Sequence, residues 1–183
     1  MRWAYCDRWN GLLEEPIEPF AASEAQRRHE TGKLYTAIGT ESDRVKVLVE
    51  VRLETGYVGV KFLDDLARNE LIYSFSVVDG RLFLSEIISY DYGDSQERGD
   101  DADPVAVENF AYTPEGTCRH KVDNSLVETI SAEDYHSVDV ASHWEPVPPF
   151  GDYDSVTKWD RETGERFNPR ENPSDAATSQ DSP

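Results

Sequence analysis

The residues best suited to bind a metal are a cysteine and a histidine two positions apart, Cys118 and His120. On a β-strand, residues two apart point to the same face, so this pair would provide two ligands. A structural zinc site needs four ligands, usually in close pairs such as Cys-x2-Cys. The chain has two cysteines and four histidines without such a pair, so we expect no metal site.

Motifs of covalent catalysis and of nucleotide binding are missing from the sequence. It contains neither a Gly-x-Ser-x-Gly nucleophile turn nor a glycine-rich phosphate loop. We therefore assign no catalytic residue and no cofactor, and we expect a binding protein rather than an enzyme.

Acidic residues cluster in the segment 91–104, which breaks the alternation of the preceding strands. Their spacing does not match an EF-hand loop, so we interpret the segment as a solvated loop. Together with one tryptophan outside the predicted meander, taken as an aromatic anchor, its acids are our predicted partner-binding residues. These are Asp91, Asp94, Glu97, Asp100, Asp101, Asp103 and Trp144.

Glu86 is a carboxylate on an apolar side of a predicted strand, where it alternates in phase with Leu82 and Leu84. If that side of the strand faces the core, Glu86 is buried and needs a partner or a raised pKa. If the other side faces the core, Glu86 lies outside, which is the interpretation we favour.

A curved sheet can also enclose a ligand, which gives an alternative set of site residues. Polar groups on the predicted strands would line such a pocket. The set is Tyr35, Tyr57, Tyr73, Glu86 and His120.

The elements that position these residues are predicted most clearly between Arg44 and Tyr90, where four segments alternate apolar and polar residues as β-strands do. The pair Asp79-Gly80 is a strong hairpin signal, and a helical turn is expected at 64–68. Further strands are predicted at 33–40, 105–113 and 117–123, with weaker ones at 127–130 and 136–140. The fold class is thus α+β, mostly β: an antiparallel meander sheet of about six to eight strands with a short N-terminal helix and an extended C-terminal arm.

The predicted organisation is one β-rich domain over residues 1–167, followed by a disordered tail at 168–183. Residues 1–32 are expected to form an irregular arm and a helix capped by Ser23 and Gln26 and ended by Gly32. The sheet occupies 33–140. The proline-rich segment 141–167 is expected to lie extended on the body.

The net charge limits the classes of partner. The 183 residues include 37 acidic and 18 basic ones, for a formal charge of −19. A field of that sign repels nucleic acids and anionic membranes and attracts basic proteins. No signal peptide or membrane-spanning run is found, so we expect a cytoplasmic protein.

These observations favour an acidic protein-binding module whose partner is a basic protein. Bacterial immunity proteins and antitoxins, which neutralise toxic enzymes, are comparable in charge and size, although no family motif is matched. One alternative is a small-ligand-binding protein or enzyme with a cavity in a curved sheet. Another is a structural or assembly component that docks its proline-rich segment on a neighbouring copy.

Overall fold

Eleven strands and one α-helix make up the part of the chain that the computed structural model describes, residues 1–159 and residue 161. The elements are β1 (Arg2–Asn10), β2 (Glu15–Phe20), α1 (Ala22–Glu30), β3 (Tyr35–Glu41), β4 (Arg44–Arg52), β5 (Tyr57–Leu63), β6 (Asn69–Val78), β7 (Arg81–Asp91), β8 (Ala106–Tyr112), β9 (Thr117–Asn124), β10 (Thr129–His136) and β11 (Trp144–Pro146). Three single 3₁₀ turns lie at Leu53–Thr55, Gly99–Asp101 and Ala141–His143.

All strand pairs are antiparallel and belong to one sheet, as the short connections predict. From β3 to β10 each strand pairs with the next one in the sequence, while β1 lies between β2 and β3. The short β11 pairs with the first residues of β7, next to β8. The sheet is therefore a meander, but it has eleven strands where six to eight were predicted.

The N-terminal segment accounts for most of the difference in strand number. Residues 1–20 were predicted to be an irregular arm because Pro16 and Pro19 interrupt the pattern, yet they form the hairpin β1–β2. A proline cannot donate a ladder hydrogen bond, but β2 is an edge strand in which some donors have no neighbour. The two prolines therefore exclude a central position in the sheet for this segment, but they do not exclude an edge strand.

Helix α1 is confirmed, although its start differs from the prediction. The N-cap is Ala21 and no side chain caps the helix, so the Ser23–Gln26 capping box does not form. At the other end, Gly32 has a positive φ of 74°. Its N–H donates to His29 O (3.1 Å), and the N–H of Lys33 donates to Arg28 O (2.8 Å). This pair of bonds is the Schellman motif, for which glycine is the preferred residue.

The predicted central strands are confirmed as β4 to β7. Asp79 and Gly80 both have positive φ (50° and 77°), as a two-residue type I′ hairpin turn requires. The helical turn predicted at 64–68 is wrong. The Asp64 carboxylate instead accepts the N–H groups of Leu66 (2.8 Å) and Arg68 (3.0 Å), which fixes a non-helical turn.

Strand β10 replaces the two weaker strands predicted at 127–130 and 136–140. It runs from Thr129 to His136, from the last residues of the first segment to the first residue of the second, and every residue in it is exposed. A strand without a buried face has no apolar alternation, so periodicity could not locate it. Its pairing with β9 extends without interruption over all eight residues.

The hydrophobic core lies on one face of the sheet, called here the inner face. Its largest fully buried members come from the central strands and from the segments that cover them. These include Tyr35, Val49, Val51, Val58, Val60, Phe75, Leu84 and Tyr153. Helix α1 contributes Ala25, and the C-terminal segment contributes Val156, both fully buried. The opposite, outer face has a smaller cluster of Cys6, Ile38, Leu48 and Leu63.

The C-terminal segment packs on the body as far as it is described, but it is not extended throughout. It contains the 3₁₀ turn at Ala141–His143 and further turns closed by the bonds from Asp152 N to Pro149 O and from Val156 N to Tyr153 O. Trp144 packs on Phe83 with a ring-centroid distance of 4.9 Å, and Phe150 stacks on Tyr5 at 5.2 Å. The disordered tail predicted for 168–183 lies outside the described residues. None of the helices in the described part is long and apolar enough to cross a membrane.

Candidate functional site

Three connecting segments contact one another near the last residues of β5 and β7. They are the β1–β2 turn, the β5–β6 turn and the long loop that follows β7. The N–H of Gly99 in that loop donates to Leu66 O at 3.0 Å. The same glycine lies so close to Gly11 O that a Cβ on it would be 2.7 Å away. We call the surface formed by residues 11–15, 64–68 and 91–103 the acidic end.

Arg68 holds the long loop to the β5–β6 turn. It is buried (9% exposed), pairs with Asp64 at 2.7 Å, and donates to Ser95 O at 2.9 Å. Its guanidinium also lies 4.2 Å from the centre of the Tyr92 ring. The acidic loop was predicted to be a solvated loop, but these contacts attach the backbone of its first half to the β5–β6 turn.

A second ion pair joins the loop to the β1–β2 turn. Arg98 binds Glu14 through two hydrogen bonds of 3.0 and 3.1 Å. Nearby, a Cβ on Gly11 would overlap the Asp100 carboxylate, so the glycine allows this close approach. The two connections place the acids of two distant segments on one surface.

Most carboxylates of the acidic end have no cation beside them. Glu14, Asp64 and Asp65 are paired with Arg or Lys side chains. Within residues 1–159 and 161, no ion pair is found for the others, all of which are exposed. They are Glu15, Asp91, Asp94, Glu97, Asp100, Asp101 and Asp103. The surface therefore has a surplus of negative charge.

Two leucines are exposed in the part of this surface that the β1–β2 turn forms. Leu12 and Leu13, in the β1–β2 turn, are 57% and 61% exposed. The N–H of Leu13 donates to Asn10 Oδ1 at 3.2 Å, which helps to define the turn. An exposed apolar pair surrounded by charge is typical of an interaction surface. We did not predict this pair, although Asn10-Gly11 is a common turn sequence that would have indicated its location.

The structure places Trp144 far from the acids with which it was grouped. It lies beside Phe83 at the start of β7, whereas the acidic loop begins at Asp91, the last residue of that strand. At about 3.3 Å per residue the two positions are roughly 25 Å apart. Six of the predicted partner-binding residues thus share one surface, and the seventh lies at the opposite end of the sheet.

The alternative pocket residues are divided between the two faces. Tyr35, Tyr73 and His120 belong to the inner face, whereas Tyr57 and Glu86 project from the outer face, as the strand register shows. Tyr35 is fully buried and its hydroxyl lies 3.1 Å from that of Tyr153. Burial is the main cause that raises the pKa of Tyr35. The five residues do not form one site.

A β-bulge at Ser85 explains the position of Glu86. Ser74 is opposite Glu86 and Phe75 is opposite Leu84, so Ser85 is an additional residue that reverses the alternation. Leu84 therefore faces the core while Glu86 lies half-buried on the outer face. There its carboxylate accepts hydrogen bonds from Asn109 (2.8 Å) and Ser74 (3.2 Å). The even-numbered residues of β7 face the core before the bulge and the odd-numbered residues face it after the bulge. Each of the two regular alternations considered for this strand therefore holds for only half of it.

His120 and the two cysteines do not form a reactive centre. His120 Nε2 lies 2.5 Å from Glu108 Oε1, and its ring stacks on Phe110 at 4.2 Å. Burial raises the pKa of the Glu108 carboxyl, although His120 opposes this effect. Cys6 and Cys118 are unpaired and buried, and burial raises the pKa of Cys6 to about 11, which disfavours the nucleophilic thiolate. Among the described residues no three His, Cys, Asp or Glu side chains are grouped to hold a metal.

We compared the chain with protein-family models, with curated proteins and with solved structures, and none of them matched it. The candidate site is therefore argued from its geometry alone.

Proposed function

We propose that this protein binds a basic protein partner through its acidic end. The observation that carries the proposal is the union of seven exposed, unpaired carboxylates with two exposed leucines on one surface. Carboxylates accelerate the encounter with a basic partner and orient it, while buried apolar anchors provide much of the binding energy. Immunity proteins and antitoxins, which neutralise toxic enzymes, are the class of binding protein that we propose.

The two alternatives receive less support from the contacts. A ligand pocket would need the tyrosines, Glu86 and His120 on one face, and they lie on two. Docking of the proline-rich segment on a neighbouring copy would need its aromatic rings free. Trp144 and Phe150 already pack on Phe83 and Tyr5 of their own chain.

Charge reversal tests the proposal. The triple variant D94K/D101K/D103K changes acids whose side chains make no ion pair within the described part of the chain. The matched control E30K/E115K/D152K reverses three exposed acids outside the acidic end. Both variants change the net charge by the same amount. The immobilised proteins are compared in their capture of partners from an extract of the source cells, at low and high ionic strength.

We expect the wild type and the control to capture the same basic proteins at low ionic strength. The first triple variant should lose them, and high salt should weaken capture by screening the exposed charges. Equal capture by both triple variants, or capture of proteins that are not basic, would overturn the proposal. Thermal unfolding of each variant verifies that the fold is retained.

A further inference from the structure

The two edges of the sheet differ in how they are protected against further strand pairing. Edge strands are usually protected by proline or by charged residues, because their free backbone groups can pair with another strand. Strand β2, at one edge, contains Pro16 and Pro19 as well as Glu15 and Glu18. Strand β10, at the other edge, has no proline and no lysine, and its charged residues are Glu133 and Asp134.

The hydrogen-bond pattern shows which backbone groups of β10 point away from the sheet. The N–H of Thr113 donates to Thr117 O and that of Ser125 to Val105 O, so the odd-numbered residues of β9 pair with β8. Because the pairing direction alternates along a strand, the even-numbered residues of β9 pair with β10. Their partners in β10 are its odd-numbered residues. Within residues 1–159 and 161 no strand pairs with this side of β10. The backbone groups that point away from β9 there belong to Ile130, Ala132, Asp134 and His136.

Apolar side chains accompany this free edge. Ile130 in the strand is 67% exposed, and Leu126 and Val127 in the preceding turn are 72% and 63% exposed. Tyr135 is 39% exposed. A fully exposed strand with free backbone groups and unburied apolar side chains is a typical site for addition of a partner strand.

We propose that β10 accepts an extended basic segment of a partner protein as an additional antiparallel strand. Residues 122–141 include Asp123, Glu128, Glu133, Asp134 and Asp139 but no lysine or arginine, and of these acids Asp123 is paired with Lys121 at 3.8 Å. Glu133 and Asp134 project from opposite faces of the strand, so a basic segment finds a carboxylate on either face. The basic residues Arg119 and Lys121 lie one strand further from the edge.

A second copy of this chain is a poor occupant, because it would bring the same acids and a net charge of −19. The inference rests on the proposed function: the strand addition is assigned to the same class of basic partner. It adds a backbone contact to the side-chain contacts of the acidic end.

The test uses a synthetic peptide in which lysine alternates with valine, and a control peptide in which glutamate replaces lysine. Amide hydrogen exchange of the full chain is followed by NMR with and without each peptide. We expect the lysine peptide to slow exchange by about tenfold or more at Ile130, Ala132, Asp134 and His136. The glutamate peptide should have no effect there.

Two variants at one position separate strand pairing from contact with side chains. A132P removes an N–H that points away from β9, so the β9–β10 ladder should persist while the protection by the peptide is lost. A132V retains that N–H and should retain the protection. If the lysine peptide slows amide exchange in A132P as much as in the wild type, pairing of the peptide along this edge is excluded.

The other outcomes distinguish this inference from the proposed function. Peptide-induced changes confined to residues 11–15 and 91–103 would overturn strand addition at β10 and leave binding at the acidic end supported. Equal protection by both peptides would overturn the basic character of the occupant. If amide exchange in β10 slows as the protein concentration rises without peptide, a second copy of the chain pairs with this edge instead. Absence of any peptide effect on β10 would also overturn the inference, while capture by the acidic end is judged independently.

Discussion

At the scale of single residues, the sequence predicts which acids are exposed but not which ones are held in place. All six acids predicted in the segment 91–104 are exposed. The cation that fixes their loop, Arg68, lies in another connection and could not be linked to it from spacing. Such contacts between distant turns depend on the tertiary fold.

We predict that R68A destabilises the protein by about 2–4 kcal/mol, because it leaves the Asp64 carboxylate without its partner in a largely buried position. The matched change R98A removes an exposed pair with Glu14 and should cost about 0–1 kcal/mol. Urea unfolding of both variants measures the difference. Equal costs would contradict the anchoring role assigned to Arg68.

A second residue-scale prediction concerns His143, which is 2% exposed between Phe83 and Tyr112. Its Nδ1 lies 3.1 Å from Leu84 O and must carry the proton in order to donate to that carbonyl. Burial lowers the pKa of His143, although the bond to Leu84 opposes this effect. The folded protein therefore resists protonation of this ring.

The sign of the pH dependence follows from that lowered pKa. Below about pH 6.5 the unfolded chain binds a proton that the folded chain does not, so the free energy of unfolding falls as the pH falls. In H143Q this contribution disappears, so the slope of the free energy of unfolding against pH just below about pH 6.5 should decrease, by at most about 1.4 kcal/mol per pH unit. Identical slopes in the two proteins would contradict the prediction.

At the scale of the elements, alternation predicted the strands that have one buried face and failed where that condition is absent. Strands β4 to β7 carry the core and were located correctly, whereas β10 is exposed on both faces. The bulge at Ser85 reversed the faces within β7, and no residue type in the sequence indicates it. The residues of the candidate pocket were consequently assigned to a single face although they occupy two.

Two glycines at hairpin turns allow a prediction at this scale. Gly80 has a φ of 77° and a Cβ there would meet no atom within 4 Å, so G80A should cost only the backbone strain, about 1 kcal/mol. Gly116 has a φ of 81°, and a Cβ there would lie 2.8 Å from Val138 O. G116A should therefore be the more destabilising change in urea unfolding. The reverse order would contradict the geometry of these turns.

At the scale of the whole molecule, the net charge of −19 favours a basic partner, but it does not indicate which surface would bind that partner. The fold brings the β1–β2 turn, which was not recognised as a hairpin, beside the acidic loop. Leu12 and Leu13 thereby become part of the same surface. Mutation can then separate the two contributions that the proposal assigns to binding, charge and apolar contact.

We predict that L12S/L13S weakens capture of the basic partner by about tenfold or more. The reason is that apolar anchors contribute about 1–2 kcal/mol each to such interfaces. The thermal unfolding temperature should stay nearly unchanged, since both side chains are mostly exposed in the free protein. Unchanged affinity would show that charge alone accounts for capture.

The most direct test of the central claim is carbodiimide labelling of carboxylates in the free protein and in its complex with the captured partner. Binding through the acidic end predicts that Asp94, Glu97, Asp100, Asp101 and Asp103 lose reactivity in the complex. Glu30, Glu115 and Asp152 should react as before. Undiminished labelling of the first group in a saturated complex would contradict the account.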